Sequence, residues 1–162
     1  MKSKQMLHEL IKASAEHTPD APALTHGNKT SSYAGLQDRC SAFASGLMQL
    51  GLARSQRVGI YLEKRTEFVE AVFGTSVAGG TFVPINPLLK SAQVTYILRD
   101  CNVRVLVTSV ERLATLSDLT SCPDLIHIVL VGETANFTIR GVSTHNWSDL
   151  CESPGKGGHR LI

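Results

Sequence analysis

Short apolar runs alternate with amphipathic segments along most of the chain. The runs rich in Val, Ile and Leu lie at residues 57–62, 81–85, 103–108 and 126–131. Between them, apolar residues recur every three or four positions, which predicts helices. Because the runs are nearly continuous in apolar residues, the strands are predicted to be buried on both sides. The pattern therefore predicts an α/β fold with a mostly parallel sheet and helices on both faces.

Capping residues mark where several helices begin. A first helix is predicted at residues 6–17 and ends before the proline-bearing segment at 18–22. The next helix begins after Ser32 as N-cap and ends at Gly51, a residue suited to the left-handed conformation. Thr66 and Ser91 are predicted N-caps of two further helices, and a leucine-bearing helix is expected at about residues 110–119.

The two ends of the alternating region have weaker patterns. Residues 23–25 and 30–33 flank a turn and predict a small β-hairpin at the edge of the fold. Beyond Gly132 we expect a short strand at 137–139, one helical turn at 147–151 and a flexible loop at 153–158. We accordingly divide the chain into an α/β subdomain, residues 1–133, and an irregular segment, residues 134–162.

Composition narrows the class of protein. The 162 residues suit one domain, and a net charge of +2 with scattered lysines and arginines argues against nucleic acid or an anionic membrane as partner. No apolar run approaches the roughly 18 residues of a membrane span, and the charged first residues do not resemble a secretory signal. The four cysteines are widely spaced, so we expect free thiols and a cytoplasmic location.

Two glycine-bearing segments are candidates for binding phosphate. Residues 74–80 include three glycines, but they lie within and at the end of a predicted helix, so close packing explains them better than anion binding. Residues 155–158, Gly-Lys-Gly-Gly, have suitable composition but neither a preceding strand nor a following helix within the chain, which favours a solvated linker. The sequence has neither the Gly-x-Gly-x-x-Gly nor the Gly-x-x-x-x-Gly-Lys-Ser/Thr motif.

Other polar residues also have plainer explanations. Lys64 and Arg65 follow a strand where α/β sheets bind ligands, yet a solvated pair at a helix start is favoured. Asn86, before Pro87, suits a turn. The six histidines show no zinc spacing. We therefore assign no catalytic, cofactor-binding or metal-binding residue from the sequence.

Four segments nevertheless resemble one enzyme family in order and spacing. They are residues 18–36, residues 46–60, Ala-Gly-Gly-Thr-Phe-Val-Pro-Ile-Asn-Pro at 78–87, and Tyr-Ile-Leu-Arg-Asp-Cys at 96–101 with the strand after it. Together they resemble the N-terminal portion of AMP-forming acyl-CoA synthetases, which are adenylate-forming ligases. Residues 60–65 and 84–90 are most similar to the subgroup of acyl-CoA ligases associated with exosortase systems.

The resemblance implies a two-step reaction for the complete enzyme. ATP and Mg²⁺ would convert a carboxylic acid to acyl-AMP, and CoA would then displace AMP. The phosphate-gripping loop and the catalytic lysine of that family have no counterpart in these 162 residues, so we expect the chain alone to be inactive, to bind no cofactor and to have the remainder of the enzyme as its partner. Uncovered apolar surface would favour an oligomer.

Two alternatives stay open at this point. The first is that the chain is a scaffold or interaction module without catalytic activity. The second is that it is a self-contained nucleotide-binding α/β domain whose site has no familiar motif.

Overall fold

A computed structural model of the chain describes residues 5–152. Its helices are α1 (Leu7–His17), α2 (Tyr33–Gln49), α3 (Thr66–Val77), α4 (Ser91–Asp100), α5 (Val110–Ala114) and α6 (Trp147–Cys151), with a 3₁₀ turn at Leu119–Ser121. Its strands are β1 (Pro22–His26), β2 (Lys29–Ser32), β3 (Arg57–Tyr61), β4 (Thr81–Pro84), β5 (Val103–Ser109), β6 (His127–Val131) and β7 (Ser143–Asn146). The loop expected at residues 153–158 lies outside the described part of the chain.

Five strands form one parallel sheet in the order β4-β3-β5-β6-β7. Within this sheet β3 comes first in sequence, and β4 lies beside it on one side. The chain then crosses to the other side of β3, where β5, β6 and β7 follow in order. The interior strands are almost wholly buried, as their continuous Val, Ile and Leu runs require. The predicted α/β fold with a mostly parallel sheet is confirmed.

Helices cover both faces of this sheet. On one face, α2, α3 and α6 pack over alternate residues of β3, β5 and β6. On the other face, α4 and α5 cover the remaining residues of the same strands. The first face contains a ring stack between Phe43 and Trp147, whose centroids are 4.4 Å apart with an interplanar angle of 19°. This contact fixes α6 against α2.

The hairpin and the first helix lie outside the main sheet. β1 and β2 form a separate antiparallel pair, and a third cluster joins Ile11 of α1 to Leu36 and Cys40 of α2. The predicted hairpin at the edge of the fold is thus confirmed. It adds a small outer layer over α2 and α3.

Two of the three predicted N-caps need correction. Ser32 caps α2 as expected, since its Oγ accepts a hydrogen bond from the Gly35 amide at 3.2 Å. The N-cap of α3 is Arg65 rather than Thr66. The N-cap of α4 is Lys90 rather than Ser91, because the Ser91 hydroxyl instead accepts from the Ser117 amide at 2.8 Å.

The helix expected at 110–119 is shorter than predicted. α5 ends at Ala114, and the chain then turns so that the Ser117 carbonyl accepts a hydrogen bond from Thr95 at 3.1 Å. Asp118 follows with φ of 58°, a left-handed conformation that no regular helix contains. Contacts with α4 therefore override the helical pattern of the leucines.

The segment after Gly132 is more ordered than its sequence indicates. The strand expected at 137–139 is absent from the described residues, where Ile139 forms only an isolated bridge with Val142. Residues 143–146 instead add β7 to the sheet beside β6, and the helical turn expected at 147–151 is α6. The strand at residues 143–146 was thus not predicted, the helical turn at 147–151 is confirmed, and the division at residue 133 stays a prediction.

No helix in the described part of the chain is long and apolar enough to cross a membrane.

A buried carboxylate joins α2 to α3. Glu70 of α3 is 1% exposed and forms an ion pair with Arg39 of α2, whose side chain is 53% exposed. Within the described residues, Oε2 of Glu70 has no hydrogen-bond partner. Burial therefore raises the pKa of Glu70 above its ordinary value, and the hydrogen bond from Arg39 only partly opposes this.

We predict that Arg39→Met costs about 2 kcal/mol of unfolding free energy at pH 7, because it leaves the buried Glu70 carboxylate without its partner. A carboxyl whose folded pKa is raised favours folding when protonated, and this contribution is lost as the pH rises through the folded pKa. The cost of Arg39→Met should therefore shrink at pH 4.5. Urea unfolding at the two pH values measures it.

The control places Arg39→Met in a Glu70→Gln background. With no carboxyl to titrate, the cost should no longer depend on pH; an equally strong pH dependence there would contradict the assignment.

Glycine permits the closest approach between α2 and α6. A Cβ placed on Gly46 would lie 2.5 Å from Cγ and 2.7 Å from the carbonyl oxygen of Leu150. Gly74 plays the same part between α3 and α2, since its Cβ would meet Phe43 Cδ1 at 2.8 Å. The absence of a side chain at these positions lets the helices pack at this distance.

We predict that Gly46→Ala lowers the unfolding free energy by about 1–3 kcal/mol, because the added methyl forces α6 away from α2. Gly35→Ala on the same helix is the matched control. Its Cβ would meet only Ser32 Oγ, at 3.4 Å, so the higher helix propensity of alanine should leave stability unchanged or raise it by up to about 1 kcal/mol. Thermal unfolding of both variants decides; equal effects would exclude the packing explanation.

Candidate functional site

The strand order identifies where a sheet of this kind offers a crevice. β4 lies on one side of β3 and β5 on the other, so the chain leaves the carboxyl ends of β3 and β5 in opposite directions. In open α/β sheets, ligands bind outside the carboxyl ends of the strands at this switch point. The candidate site is therefore the group of residues that follows β3, β4 and β5, which we call the carboxyl edge.

An ion pair spans the carboxyl edge at the switch point. Nε of Arg112, at the start of α5, donates to Oε1 of Glu63 beyond β3 at 2.7 Å. Arg112 also donates to the carbonyl of Pro87, and its guanidinium carbon lies 5.6 Å from the centroid of the Tyr61 ring. One side chain thus ties together the loops that follow three strands.

The pKa shifts at this pair follow from its contacts. Desolvation is the largest influence on Glu63 and acts to raise its pKa, but the hydrogen bond from Arg112, a backbone hydrogen bond and the charges of Arg112 and Arg65 together lower the pKa below its ordinary value. Desolvation is likewise the largest influence on Arg112 and acts to lower its pKa, but the hydrogen bonds and charges of Glu63 and Tyr61 together raise it. Both groups are held in their charged forms.

A second ion pair lies beside the first. Arg65 donates from Nε to Oε2 of Glu67 at 2.8 Å, and from its terminal nitrogen to Oε1 at 3.3 Å. Burial is the largest influence on Glu67 and acts to raise its pKa, but the hydrogen bond from Arg65, a backbone hydrogen bond and the charges of Arg65 and Arg39 together lower the pKa below its ordinary value. The prediction that Lys64 and Arg65 are both solvated is therefore wrong for Arg65, which is half-buried and paired with Glu67.

Asn86 has the architectural role expected of it. Its Oδ1 accepts a hydrogen bond from the Leu88 amide at 2.9 Å and so holds the turn after β4. Together these contacts show that the charged side chains of the carboxyl edge are paired: Arg112 with Glu63 and the Pro87 carbonyl, and Arg65 with Glu67. These ion pairs and hydrogen bonds hold the loops of the carboxyl edge in place.

The glycine segment at 74–80 packs helices and binds no anion in this arrangement. Gly74 lies against Phe43 and the Cys40 carbonyl, as described above. The amides of Gly79 and Gly80 donate to the carbonyls of Ser76 and Thr75. Their hydrogen-bonding capacity is thus used within the chain. The other candidate, residues 155–158, lies outside the described residues.

The structure brings two pairs of polar side chains together that sequence reasoning missed. Nδ1 of His127 lies 3.0 Å from Nε2 of His145, across β6 and β7. Nδ1 of His8 on α1 lies 3.0 Å from Oγ of Ser76 on α3. The first pair was hidden because β7 lacks a recognisable strand pattern, so nothing in the sequence placed His145 beside His127.

The serine and histidine pair lacks further signs of catalysis. Ser76 is buried in the last turn of α3, and no carboxylate among the described residues orients His8, as it would in a catalytic triad. Three of the four free cysteines are also poor nucleophiles, since desolvation raises the pKa of Cys40 and Cys151 to about 12 and that of Cys122 above its ordinary value.

Comparison with known proteins identifies the fold's family. The profile of the AMP-binding enzyme family matches residues 11–153, most of the chain. The chain belongs to the AMP-binding enzyme family. The match spans all four sequence segments on which the resemblance was based.

Similar sequences occur in large peptide synthetases. The chain is 37% identical over 98 residues to bacitracin synthase 1 of Bacillus licheniformis, covering 60% of the chain and 2% of that protein. It is 31% identical over 123 residues to tyrocidine synthase 3 of Brevibacillus parabrevis, covering 74% of the chain and 2% of that protein. The chain thus spans a small fraction of the length of these relatives.

Solved structures of similar fold include CoA ligases. The anthranilate CoA ligase AuaEII, in complex with anthranoyl-AMP, superposes with a TM-score of 0.80 at 26% identity, covering 91% of this chain and 28% of the other. The benzoate CoA ligase of Burkholderia xenovorans LB400 superposes with a TM-score of 0.76 at 17% identity, covering 92% and 28%. The second likeness shows the fold alone.

The two arginines of the carboxyl edge are not free to bind a nucleotide phosphate. The arginines of the carboxyl edge, Arg65 and Arg112, already have carboxylate partners, so neither offers a free cation to a nucleotide phosphate. Within residues 5–152, no three His, Cys, Asp or Glu side chains are grouped to hold a metal ion. We derive no chemical step through ATP or Mg²⁺ at these residues.

We predict that Glu67→Gln lowers the unfolding free energy at pH 7 by about 1 kcal/mol, because it removes the ionised acceptor of Arg65. A carboxyl whose folded pKa is lowered stabilises the fold above its unfolded pKa, and the contribution is lost as the pH falls through the folded value. The difference from wild type should therefore vanish at acid pH, as measured by urea unfolding between pH 7 and pH 3.

Glu16→Gln, at an exposed position on α1, is the control and should change little at any pH. If both variants behave alike, the Arg65 pair does not stabilise the fold.

Proposed function

We propose that the protein carrying this chain is an acyl-CoA ligase. It would join a carboxylic acid to AMP from Mg·ATP with release of pyrophosphate, and then transfer the acyl group to CoA with release of AMP. The observation that carries this proposal is the family match over residues 11–153. The superposition on a CoA ligase whose structure contains an acyl adenylate supports it.

The choice of CoA as acceptor rests on two supports. One is the 26% identity to the anthranilate CoA ligase across 91% of this chain. The other is the likeness of residues 60–65 and 84–90 to acyl-CoA ligases associated with exosortase systems, which supports that subgroup and a role in fatty acid metabolism.

A second candidate is favoured by the sequence relatives. The identity of 37% to bacitracin synthase 1 and 31% to tyrocidine synthase 3 supports an adenylation unit of a peptide synthetase. Such a unit would transfer its acyl group to the thiol of a carrier protein. The two candidates share adenylate formation and differ in the thiol that accepts the product.

Within such an enzyme, we propose that these residues form a supporting wall and do not act on substrate. The paired charges of the carboxyl edge hold the loops after β3, β4 and β5 in place. The reacting groups would come from other parts of the protein, and the chain by itself would be inactive. The alternative is that the chain is a scaffold or interaction module without catalytic activity.

The remainder of the same enzyme is the proposed partner. Several large apolar side chains are exposed, among them Leu88 at 85%, Tyr96 at 57% and Met48 at 54%. Burial of such side chains against another surface is favourable, so we propose that the rest of the enzyme covers them, or that copies of the chain associate. The four free thiols support a reducing, cytoplasmic setting.

We predict that the purified 162-residue chain catalyses no exchange of labelled pyrophosphate into ATP with a panel of fatty and aromatic acids. The intact gene product should catalyse it with at least one acid. Product analysis with CoA and with a phosphopantetheinylated carrier protein then identifies the acceptor.

Robust exchange by the 162-residue chain alone would overturn the supporting role proposed for it. Exchange by the intact gene product, followed by transfer only to the carrier protein, would overturn the CoA assignment and leave adenylate formation standing.

A further inference from the structure

The pair of histidines between β6 and β7 is a feature that adenylate formation does not explain. His127 begins β6, and His145 lies in β7 opposite Val129, so the two are diagonal neighbours on one face of the sheet. Their rings are 5.0 Å apart between centroids and tilted by 57°. Nδ1 of His127 faces Nε2 of His145 at 3.0 Å.

The backbone fixes which nitrogen of His127 carries a proton. Its Nε2 lies 3.1 Å from the carbonyl oxygen of Leu50, at the end of α2. A carbonyl only accepts hydrogen bonds, so Nε2 of His127 is the protonated nitrogen of the neutral ring and Nδ1 presents a lone pair to His145. Burial lowers the pKa of both histidines, which favours their neutral forms.

We propose that His127 and His145 chelate a divalent late transition-metal ion of the copper and nickel class. With metal–nitrogen bonds of about 2.0–2.1 Å, the observed 3.0 Å between the facing nitrogens corresponds to an angle of about 95° at the metal. Square-planar and octahedral ions adopt angles near 90°. The affinity of nitrogen ligands for divalent ions peaks at Cu²⁺ and falls again at Zn²⁺, which favours copper over zinc.

The surroundings suit a metal ligand. Metal-bound histidines usually donate their second N–H to a carbonyl or carboxylate, which orients the ring, and His127 already makes this bond to Leu50. Binding requires that the proton on Nε2 of His145 moves to its Nδ1, and that the two rings turn so that the facing lone pairs converge on the ion. Both facing nitrogens then offer lone pairs to the ion.

Solvent has access to complete the coordination. His145 borders an open cavity of about 540 Å³ that is also lined by Asn136, Asn146 and Asp149. Water in this cavity would occupy the remaining positions around the ion. The bound ion would link His127, which is hydrogen-bonded to the end of α2, to His145 of the edge strand β7. It would therefore raise the unfolding free energy by an amount that grows with the logarithm of the ion concentration.

Titration of the full, tag-free chain with Cu²⁺ tests the proposal. Calorimetry should show one strong site per chain, and electron paramagnetic resonance should show two imidazole nitrogens bound to copper. Ni²⁺ should bind at least as tightly as Zn²⁺. His145→Gln should weaken Cu²⁺ binding at least tenfold, whereas His26→Gln, an exposed residue of the hairpin, should bind as the wild type does.

The copper spectrum of the wild type decides even if His145→Gln fails to fold. One nitrogen or none on copper in the wild type overturns the proposal, as does equal affinity in a folded His145→Gln variant or preference for Zn²⁺ over both other ions. A melting temperature that rises with Cu²⁺ in the wild type and in His26→Gln, but not in His145→Gln, supports it.

Discussion

The burial of the central strands on both faces is the constraint on which the rest of this structure depends. β3, β5 and β6 have no polar face to turn toward water, so each side must be covered by helices. The connections between successive parallel strands contain these helices. α3 lies on one face, and α4 and α5 lie on the other. The approach of α2 and α6 to the first face then depends on Gly46 and Gly74.

The same constraint explains why most of the fold was predictable from sequence. A strand buried on both faces leaves a run such as Val105-Leu106-Val107 that no surface element resembles. β7 escaped prediction for the opposite reason. It lies at the edge of the sheet, and its residues, Ser-Thr-His-Asn, carry no aliphatic signal because only the pairing with β6 makes them a strand.

The contacts of the candidate sites were less predictable than the elements that bear them. The position of Arg65 after a strand was visible, but its pairing with Glu67 depends on side-chain directions at a helix start. Arg112 joins loops that are far apart in sequence, since Glu63 is 49 residues away. The two histidines meet only because β7 exists. For Arg112 and for the histidines the missing information is a tertiary contact between polar residues, for which spacing along the chain carries no signal.

The pairing register of β4 has a consequence for how this sheet meets other chains. The amide of Ile85 points inward and donates to the Ile60 carbonyl at 2.9 Å, so the nitrogen of Pro84 faces the outer side, where proline has no hydrogen to donate. A strand from a neighbouring molecule approaching that rim would find a donor missing from the ladder. The sheet is therefore protected against extension at its β4 end by a single imino acid.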